Sequence, residues 1–599
     1  MTGKNNEPLD AEWVARKHTT YDELTSADGE LWWIQSDPDL GGTRRLMRAR
    51  PQEKAHPQTP PELSLGGWLH AYGGGAYAVT TDRQWIISAE DSKIYELADV
   101  GAPRPIVPAD DRFLYGDLHL ADGNLLAVRG NDHGDEIVKV DTDGQSMRVL
   151  VSSSGFLAAP RCGSGLLAYL EWDGDRMPWD STRLQVTDLP EHGPAPSPKL
   201  VAGGEEESVV QPAWGPDGML YFLSDRTGWW NLYRWDGLRV HAVAPMDADC
   251  APAPWEGGYQ SFGFLPGGEI VLTVSDGFRT RLITVGGDGH YREQEADVTS
   301  VKPYVAVLGQ QVALIASTPT STPSIRVFDL ASPIPAWRWD FPTPMHEQPQ
   351  YSCAAPTIRE VRSSSTNIRY LLHRPPVNGP VPLLVRAHPG PTDDVPMRLD
   401  WTVQYFVARG FAVADVAYRG STGQGRQFRQ ALHGHWGEFD VEDCAAVAQQ
   451  LLADGTALRG AVFISGASAG GYTALQAACL TGPFTGAAAT SAITDPKRWT
   501  ITAPRFQRPH AAVLAGPVGA VRAEAIRVPV LLVHGTSDDI ATVADARRLA
   551  AELQARGADH ETLFLEGGDH YLSVPESRRA VLEAELRFFQ RITPVGVLP

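Results

Sequence analysis

A serine flanked by glycines is the residue of this chain best placed for nucleophilic chemistry. Ser468 stands at the centre of a G-x-S-x-G motif, residues 466–470, with an apolar, strand-like run before it and an Ala-rich, helix-like run after it. A sharp strand-to-helix turn of this kind lifts the serine hydroxyl above a sheet and needs glycines where side chains would collide. The pattern predicts that Ser468 is a nucleophile, and a glycine-rich turn with an incidental serine is the alternative.

Two later loops carry residues that would activate the serine. A serine hydroxyl is a poor nucleophile until a base takes its proton, and hydrolases built on such a turn place the acid and then the histidine after the serine. Asp538 follows one apolar run and His570 follows the next, so they are the predicted orienting acid and general base. Asp539 and, less favoured, Asp569 are the rival acids, and His534 is a competing base.

The same chemistry requires two backbone N–H groups that stabilise the developing negative charge. Ala469, directly after the serine, is expected to supply one of them. The loop RAHPGP at 386–391 follows an earlier apolar run and is expected to supply the other. Because Pro389 and Pro391 have no N–H, Gly390 is the predicted donor.

The elements that must position these residues form the second part of the chain, where apolar strands and helices alternate. The predicted strands lie at 381–390, 411–420, 461–466, 528–535 and 561–568. The run at 441–455 predicts an amphipathic helix with Asp440 as its N-cap, and 583–592 predicts a closing helix. Such alternation indicates a mostly parallel sheet covered on both faces, with ligands bound at the carboxyl ends of its strands.

The first part of the chain consists of short β-rich runs separated by turn dipeptides such as Asp-Gly. Seven related units recur at a spacing of roughly 40–50 residues, which is typical of propeller blades. They contain LWWIQSD, QWIISAE, NLLAVRG, GLLAYLEW, MLYFLSD, EIVLTVSD and QVALIAST. We therefore predict a seven-bladed β-propeller over residues 1–345 and an α/β-hydrolase domain with a mostly parallel sheet over residues 346–599. Whether the first residues, up to about 20, pack on the hydrolase domain is left open, and a pair of β-sandwiches is the alternative to the propeller.

Length and charge limit the function classes. A chain of 599 residues exceeds what one hydrophobic core usually serves, so at least two domains are expected. The 52 Lys and Arg against 72 Asp and Glu give a net charge of −20. Because an acidic surface repels phosphate groups, neither nucleic acid nor an anionic membrane is an expected partner. No apolar run approaches the roughly 20 residues of a membrane span.

Cysteine and histidine spacing excludes several kinds of site. The five cysteines are scattered and contain no CxxC pair, so neither a disulfide scaffold nor a zinc site is expected. The pair His433 and His435 lacks a third ligand nearby and is rejected as a metal site. We therefore predict no metal and no cofactor. The first residues lack the basic and apolar segments of a signal peptide, so a cytoplasmic location is expected.

Several longer strings carry a resemblance to a known family. They are HPGP at 388–391, AYRGSTGQGRQF at 417–428, HWGEFDVED at 435–443, GASAGGY at 466–472, HGTSDD at 534–539, GGDH at 567–570, RMPWDSTRLQVTDL at 176–189 and ESVVQPAWGPDGMLYFLSDRTGWWNLYRW at 207–235. On these residues the chain resembles the prolyl oligopeptidase family of serine peptidases, in the branch of acylaminoacyl peptidases and related bacterial aminopeptidases. The resemblance covers nearly the whole chain.

The resemblance implies both a fold and an activity. It implies a seven-bladed propeller that caps an α/β-hydrolase domain, and the triad roles for Ser468, Asp538 and His570. It implies cleavage of amide bonds in short peptides or aminoacyl compounds through an acyl-enzyme, as an aminopeptidase or acylaminoacyl peptidase. The alternative is a non-peptidase amidohydrolase or deacylase that acts on an aminoacyl or acylated metabolite or antibiotic. A catalytically inactive binding propeller is a third class, against which an intact triad argues.

Two departures from the family pattern bear on specificity. The family's HGGP loop reads HPGP here, which keeps Gly390 but stiffens the turn. Prolyl endopeptidases carry an arginine two residues after the acid, where it grips a substrate carbonyl. Ile540 stands at that position, which favours an aminopeptidase-like activity over internal cleavage.

Four residues are candidates for substrate binding. In related amino-terminal peptidases, propeller glutamates bind the substrate ammonium, and Glu206 and Glu207 are the predicted counterparts, because a partly desolvated carboxylate pairs well with a cation. A solvated acidic loop is the alternative. Trp499 and Phe506 are predicted to wall an apolar specificity pocket, with a place in the core as the alternative. The expected partner is a short peptide or a small aminoacyl compound, and no residue specifies an oligomeric state.

Overall fold

A computed structural model of the chain describes residues 9–97, 102–108, 112–121, 123–143, 146–330, 332, 337–341 and 351–594. The chain divides into two units. The propeller unit consists of His18–Ser317 and Pro323–Thr343, and the hydrolase unit of Met1–Lys17, Thr318–Thr322 and Pro344–Pro599. The predicted domain boundary between residues 345 and 346 lies outside the described residues.

Seven four-stranded antiparallel sheets make up the propeller unit. The predicted seven-bladed β-propeller is therefore confirmed, and the β-sandwich alternative is wrong. Blade by blade, the strands are Tyr21–Ala27, Glu30–Asp37, Thr43–Ala49 and His56–Pro57; Tyr77–Val79, Gln84–Ile87, Ile94–Leu97 and Arg104–Pro105; Leu114–Ala121, Asn124–Asn131, Gly134–Val140 and Met147–Ser153; Phe156–Gly163, Leu166–Trp172, Thr182–Asp188 and Lys199–Gly204; Val209–Trp214, Leu220–Ser224, Asn231–Trp235 and Val240–Ala242; Phe262–Phe264, Ile270–Ser275, Thr280–Val285 and Tyr291–Gln294; and Ser300–Leu308, Gln311–Thr318, Ser321–Asp329 and Trp337–Phe341.

The seven strings that indicated the repeat all lie on the second strand of a blade. These strands are buried along most of their length: Leu220–Ser224 is buried throughout and Gln311–Thr318 at every residue but its two ends. A strand covered on both faces favours a continuous apolar run over strict alternation. This is why the second strand was the part of each blade that stood out in the sequence.

A polar side chain at a bulge in the first strand links neighbouring blades at three places. The bulge residues Glu23, Asp117 and Gln211 have φ of 52°, 50° and 54°. Their side-chain oxygens accept backbone N–H groups of the next blade, from Ala76 at 2.6 Å, Ala159 at 2.5 Å and Ser261 at 2.7 Å, respectively. Each bond satisfies a buried donor that would otherwise lack a partner.

The hydrolase unit is built on one eight-stranded sheet. Its strands are β1 (Thr357–Ser363), β2 (Thr366–His373), β3 (Val381–Ala387), β4 (Ala412–Ala417), β5 (Ala457–Ala467), β6 (Gly486–Thr490), β7 (Val530–Gly535) and β8 (His560–Leu565). They lie in the order β1-β2-β4-β3-β5-β6-β7-β8. The strands from β4 to β8 in that order are parallel, and β2 is antiparallel to both of its neighbours. The predicted α/β-hydrolase domain with a mostly parallel sheet is confirmed.

The α-helices of the described residues all belong to this unit. They are α1 (Ala11–Ala15), α2 (Trp401–Val407), α3 (Gly425–Gln430), α4 (Phe439–Ala453), α5 (Ala469–Ala477), α6 (Pro496–Thr502), α7 (Arg508–Leu514), α8 (Val543–Ala555) and α9 (Pro575–Ile592). None of the helices described is long and apolar enough to cross a lipid bilayer.

The predicted N-cap of α4 is wrong. The helix begins at Phe439, and Asp440 lies inside its first turn, fully buried. Its carboxylate accepts the N–H of Gly437 at 2.7 Å and the hydroxyl of Thr473 at 2.5 Å. Asp440 therefore joins α4 to the helix after the candidate nucleophile, which is a tertiary role that a local capping pattern does not reveal.

Apolar side chains cover both faces of the sheet. On one face α1, α2 and α9 form a core in which Phe463 of β5 stacks on Phe589 of α9 at 4.8 Å between ring centroids. On the other face α4, α5 and α8 contribute Val447, Leu475 and Leu549. The sheet is therefore covered on both sides, which leaves its carboxyl edge as the place for a site.

Candidate active site

Ser468 lies at the turn between β5 and α5. Its backbone has φ 53° and ψ −117°, a positive-φ conformation that persists only where the surrounding structure holds it. Close backbone contacts explain the two motif glycines. A Cβ on Gly466 would lie 2.2 Å from the carbonyl oxygen of Gly470, and one on Gly470 would lie 2.2 Å from that of Ala387. The turn thus holds a half-buried serine at the carboxyl edge of the sheet.

His570 and Asp538 are in direct contact. His570 Nδ1 lies 2.8 Å from Asp538 Oδ2, and Asp538 Oδ1 accepts the N–H groups of Ile540 at 2.9 Å and Ala541 at 2.8 Å. Burial opposes the negative charge, but hydrogen bonds from His534 and His570 outweigh it, so the pKa of Asp538 lies below its usual value. Asp538 is therefore an ionised acceptor in contact with the imidazole.

The topology brings these groups to the same edge as the serine. Ser468 follows β5, Asp538 follows β7 and His570 follows β8, at the carboxyl ends of parallel strands. Within the described part of the chain, the Ser468 hydroxyl has no hydrogen bond to His570. Hydrogen bonds of this kind are often long in an enzyme without substrate and tighten only in the complex.

Two hydrogen bonds tie the loop after β7 to the loop after β8. The N–H of Ser537 donates to the carbonyl of Gly568 at 2.9 Å, and the N–H of Gly567 donates to Thr536 Oγ1 at 2.8 Å. The candidate acid and base therefore lie on a linked pair of loops, which fixes their separation.

Neither rival acid forms a hydrogen bond or an ion pair with the His570 ring, all three being described residues. Asp539 is exposed. The carboxylate of Asp569 accepts the N–H and the hydroxyl of Ser573 at 2.9 Å and 2.7 Å, so it is used within its own loop. Of the three candidates, Asp538 is the one that contacts the imidazole.

His534, the competing base, contacts the acid instead. It is 1% exposed, and its Nε2 lies 2.8 Å from the carbonyl oxygen of Ala541 and 3.2 Å from Asp538 Oδ2. Because both of these neighbours are acceptors, we assign the proton to Nε2. His534 thus presents its N–H to Asp538 and to the carbonyl of Ala541. The HGTSDD motif made His534 a candidate, but its contact with Asp538 is visible only in the three-dimensional structure.

The N–H groups of Ala469 and Gly390 are available to a ligand, since neither has a hydrogen-bond partner among the described residues. The loop that carries Gly390 lies beside the serine turn, because a Cβ on Gly470 would also meet the carbonyl oxygen of His388 at 2.7 Å. Two unpaired donors near a nucleophile are what an oxyanion hole requires.

A side-chain network that the sequence analysis did not predict holds this loop. His388 Nε2 lies 2.8 Å from Ser421 Oγ, and the His388 ring stacks on Tyr418 at 4.2 Å. The Tyr418 hydroxyl donates to the carbonyl of His388 at 2.7 Å. Burial lowers the pKa of His388 to about 4, so the ring is neutral at neutral pH. The sequence contains both strings, HPGP and AYRGST, but it does not show that their side chains are in contact.

The candidate substrate-binding residues lie in both units. In the propeller, Glu207 Oε1 lies 2.8 Å from Arg226 Nη2 and 2.6 Å from Ser224 Oγ, and Glu206 is exposed. In the hydrolase unit, Trp499 and Phe506 are buried. The roles predicted for these four residues stay predictions.

Trp499 also supports the acid loop. Its indole Nε1 donates to the carbonyl of Ile540 at 3.0 Å, two residues after Asp538. As to metals, the described residues contain no group of three or more His, Cys, Asp or Glu side chains that could hold an ion.

Known proteins share parts of this sequence. Residues 397–594 match the prolyl oligopeptidase family. Dipeptidyl aminopeptidase BIII of Pseudoxanthomonas mexicana is 26% identical over 221 residues, which are 34% of this chain and 32% of that relative. The match thus spans about a third of the length of this curated relative.

Two solved structures are similar over nearly the whole chain. A puromycin-hydrolyzing peptidase of Mycobacterium tuberculosis has a TM-score of 0.91 and 26% identity, over 98% of this chain and 96% of that chain. A puromycin hydrolase has a TM-score of 0.90 and 26% identity, over 99% of this chain and 98% of that chain. A mutant of that hydrolase is known in complex with PGG.

Proposed function

We propose that this chain, which belongs to the prolyl oligopeptidase family through its residues 397–594, is a serine peptidase that cleaves amide bonds of short peptides or aminoacyl compounds. Its activity is that of an aminopeptidase or acylaminoacyl peptidase. The observation that carries the proposal is the contact of 2.8 Å between His570 Nδ1 and Asp538 Oδ2, at the same sheet edge as a serine in a strained turn. Similarity over the whole chain to a puromycin-hydrolyzing peptidase supports it.

In the first step Ser468 Oγ attacks the scissile carbonyl carbon while His570 Nε2 takes the hydroxyl proton. Asp538 keeps the imidazole in orientation and stabilises the imidazolium that forms. The carbonyl oxygen becomes an oxyanion and accepts hydrogen bonds from the N–H groups of Ala469 and Gly390.

In the second step the C–N bond breaks. His570 gives its proton to the leaving amine, and the acyl group remains on Ser468 as an ester. A water molecule then attacks the ester while His570 takes one of its protons, and the acid is released as the proton returns to Ser468. Every step uses groups of this chain and water.

The amino end of the substrate is the proposed specificity element. Ile540 stands where prolyl endopeptidases carry an arginine, which favours cleavage near a chain end. Glu206 and Glu207 are proposed to bind the substrate ammonium. Glu207 already pairs with Arg226, so Glu206 is the better first test: Glu206→Gln raises KM for aminoacyl substrates if the role is correct and leaves KM for a simple ester unchanged.

A second candidate function comes from the solved relatives. Both are described by the hydrolysis of puromycin and are 26% identical over 98% or more of this chain. This supports an amidohydrolase that acts on an antibiotic of this kind.

Location in a reducing compartment such as the cytoplasm is also proposed, supported by five cysteines that are all unbridged.

The test combines labelling with a choice of substrates. A fluorophosphonate probe should label the wild type and the control Ser537→Ala, whose serine lies in the neighbouring acid loop, but not Ser468→Ala. Hydrolysis of aminoacyl nitroanilides, acetyl-aminoacyl nitroanilides and puromycin by the same preparations then separates the substrate classes. Labelling of Ser468→Ala to the wild-type extent would refute the proposed nucleophile, and failure to cleave any of the three amides would refute the proposed activity.

A further inference from the structure

A cavity of about 370 Å³ lies within the hydrolase unit, between the sheet and the helices α2 and α9. Its wall includes Ala467, Pro389 and Tyr571, each of which is next in sequence to a candidate catalytic residue. The volume falls in the range of small-molecule pockets, about 300–1,000 Å³. None of the charged groups in its wall has a part in the reaction proposed above.

Glu585 is a carboxyl group of this cavity that forms no ion pair among the described residues; Asp394 is another, and the charge of Arg398 lowers the pKa of Asp394. Glu585 lies on α9, lines the cavity and is 9% exposed. Within the part of the chain that the structure describes, its carboxylate has neither a hydrogen bond nor an ion pair. Burial raises its pKa to about 7, with Arg386 acting in the opposite direction. A buried carboxylate without a partner is costly, so the site favours whatever cation can reach it.

Arg386, whose charge acts on Glu585, already pairs with two other carboxylates. Its Nη1 lies 3.0 Å from Asp400 Oδ2 and 3.3 Å from Asp415 Oδ1. Among all the side chains of the wall, five carboxyl groups stand against three arginines. The surplus of negative charge selects a cationic ligand over an anionic one.

The wall also contains apolar side chains. Leu384, Phe406 and Leu582 line the cavity and belong to the buried core beneath it. A bare metal ion needs several oxygen ligands around one point, and the described residues offer no such group. An ammonium on a compact apolar body fits both the carboxylate of Glu585 and the apolar side chains of the wall.

We infer that this cavity binds a small organic monocation, a primary ammonium on a compact apolar group, with Glu585 as its counter-ion. The ammonium has two possible sources: the amino end of a substrate or product of the proposed peptidase, or a separate small amine. The binding itself does not depend on the proposed function, and only the distinction between the sources does.

Calorimetric titration of the full chain with benzylamine tests the inference, with benzyl alcohol as the neutral probe of the same shape. Wild type should bind benzylamine and should bind benzyl alcohol at least tenfold more weakly. Glu585→Gln should weaken benzylamine at least tenfold. The matched control is Glu583→Gln, on the same helix, whose side chain is 44% exposed and pairs with Arg587, and it should bind like the wild type.

A crystal soaked with 4-bromobenzylamine gives a readout that needs no variant. The bromine should lie among Leu384, Phe406 and Leu582, with the ammonium at Glu585. The inference is overturned if wild type shows no binding at about 10 mM benzylamine, a concentration that would detect even millimolar affinity. It is also overturned if Glu585→Gln binds as tightly as Glu583→Gln, or if the bromine lies elsewhere.

Inhibition kinetics distinguish the two sources of the ammonium. If the cavity takes the substrate's own amino end, benzylamine competes with an aminoacyl nitroanilide and Glu585→Gln raises its KM. If the ligand is a separate amine, inhibition is non-competitive, and benzylamine still binds the enzyme whose serine carries a phosphonate. Should the chain prove not to be a hydrolase, calorimetry and the soaked crystal still decide whether the ammonium site exists.

Discussion

Four hydrogen bonds converge on the carboxylate of Asp538. The donors are the N–H groups of Ile540 and Ala541 and the rings of His534 and His570. Such a set of donors keeps a buried carboxyl ionised and fixes its direction. Asp538 is therefore held by its own loop and by His534 of β7, independently of its contact with His570.

Replacing this acid tests its role against its neighbour in sequence. Asp538→Asn removes the charge that stabilises the imidazolium and disturbs the tautomer of His570, so we expect kcat to fall by about 10⁴-fold. Asp539→Asn is the matched control, because Asp539 is exposed, and it should stay within about twofold of the wild type. Steady-state kinetics with an aminoacyl nitroanilide measure both variants. If Asp539→Asn lost most of its activity while Asp538→Asn kept most of it, Asp539 and not Asp538 would be the orienting acid.

The contact between His534 and Asp538 has its own consequence for the pH profile. The hydrogen bond from His534 lowers the pKa of Asp538, so His534→Leu should raise that pKa and move to higher pH the acid limb of kcat/KM that reports protonation of Asp538. One hydrogen bond to a charged group is worth about 1.5–3 kcal/mol, so kcat should also fall about tenfold or more. His534→Gln keeps an N–H at a similar place and should restore both quantities. A uniform loss of activity in both variants, with no shift of the limb, would indicate a structural role only.

Residue types and chain order were enough to select the candidate triad, but not its supporting contacts. The order serine, acid, histidine, each after a predicted strand, selected Asp538 and His570 as candidates. His534 was read as a possible base because its type permits that role, and its burial and contact with Asp538 are properties of the fold. The stacking of His388 on Tyr418 joins residues 30 positions apart in the sequence, and the sequence alone does not predict it either.

At the scale of elements, the turn between β5 and α5 depends on a close approach of two backbones. A Cβ on Gly470 would lie 2.2 Å from the carbonyl oxygen of Ala387. Gly470→Ala should therefore push α5 away from β3, misplace the serine and lower both stability and kcat. We expect a loss of stability of about 2 kcal/mol or more, as for overpacked cores.

A control for this change is available a short distance along the chain. At Gly482 the nearest atom to an added Cβ is the Leu480 side chain at 3.8 Å, so Gly482→Ala should fold and act like the wild type. Thermal unfolding and kcat of the two variants are the measurements. If Gly470→Ala proved as stable and active as Gly482→Ala, the turn would tolerate a side chain and the steric account of the motif would fail.

The elements themselves were largely predictable because their patterns are local. Second strands of blades such as Leu220–Ser224 are apolar along their length, and this run alone marks them. The start of α4 was misplaced because Asp440 has the right type for an N-cap, yet its carboxylate serves Thr473 on α5. Local propensity cannot distinguish these two uses of one aspartate.

At the scale of the whole molecule, buried carboxyl groups set how stability depends on pH. Burial raises the pKa of Glu23 in the propeller unit and of Glu585 in the hydrolase unit from 4.5 to about 7. A carboxyl whose pKa is raised by folding contributes stability that is fully present below its unfolded pKa and is lost as pH rises through its folded pKa. Each shift corresponds to roughly 3 kcal/mol between these limits.

We therefore expect the melting temperature to fall as pH rises from 5 to 8. Acid unfolding does not interfere at pH 5, the lower end of this range. Asp400 and Asp538 have lowered pKa values, so they lose their stabilising charge only in more acidic solution. Glu23→Gln and Glu585→Gln should each be more stable than the wild type at pH 8 and gain nothing at pH 5. Glu583→Gln, at a partly exposed position, should follow the wild type throughout. Scanning calorimetry across this range measures all four proteins, and each variant should shift the transition of the unit that contains its residue. A wild type equally stable at pH 5 and pH 8, with both buried variants unchanged, would mean that neither carboxyl is protonated in the folded chain.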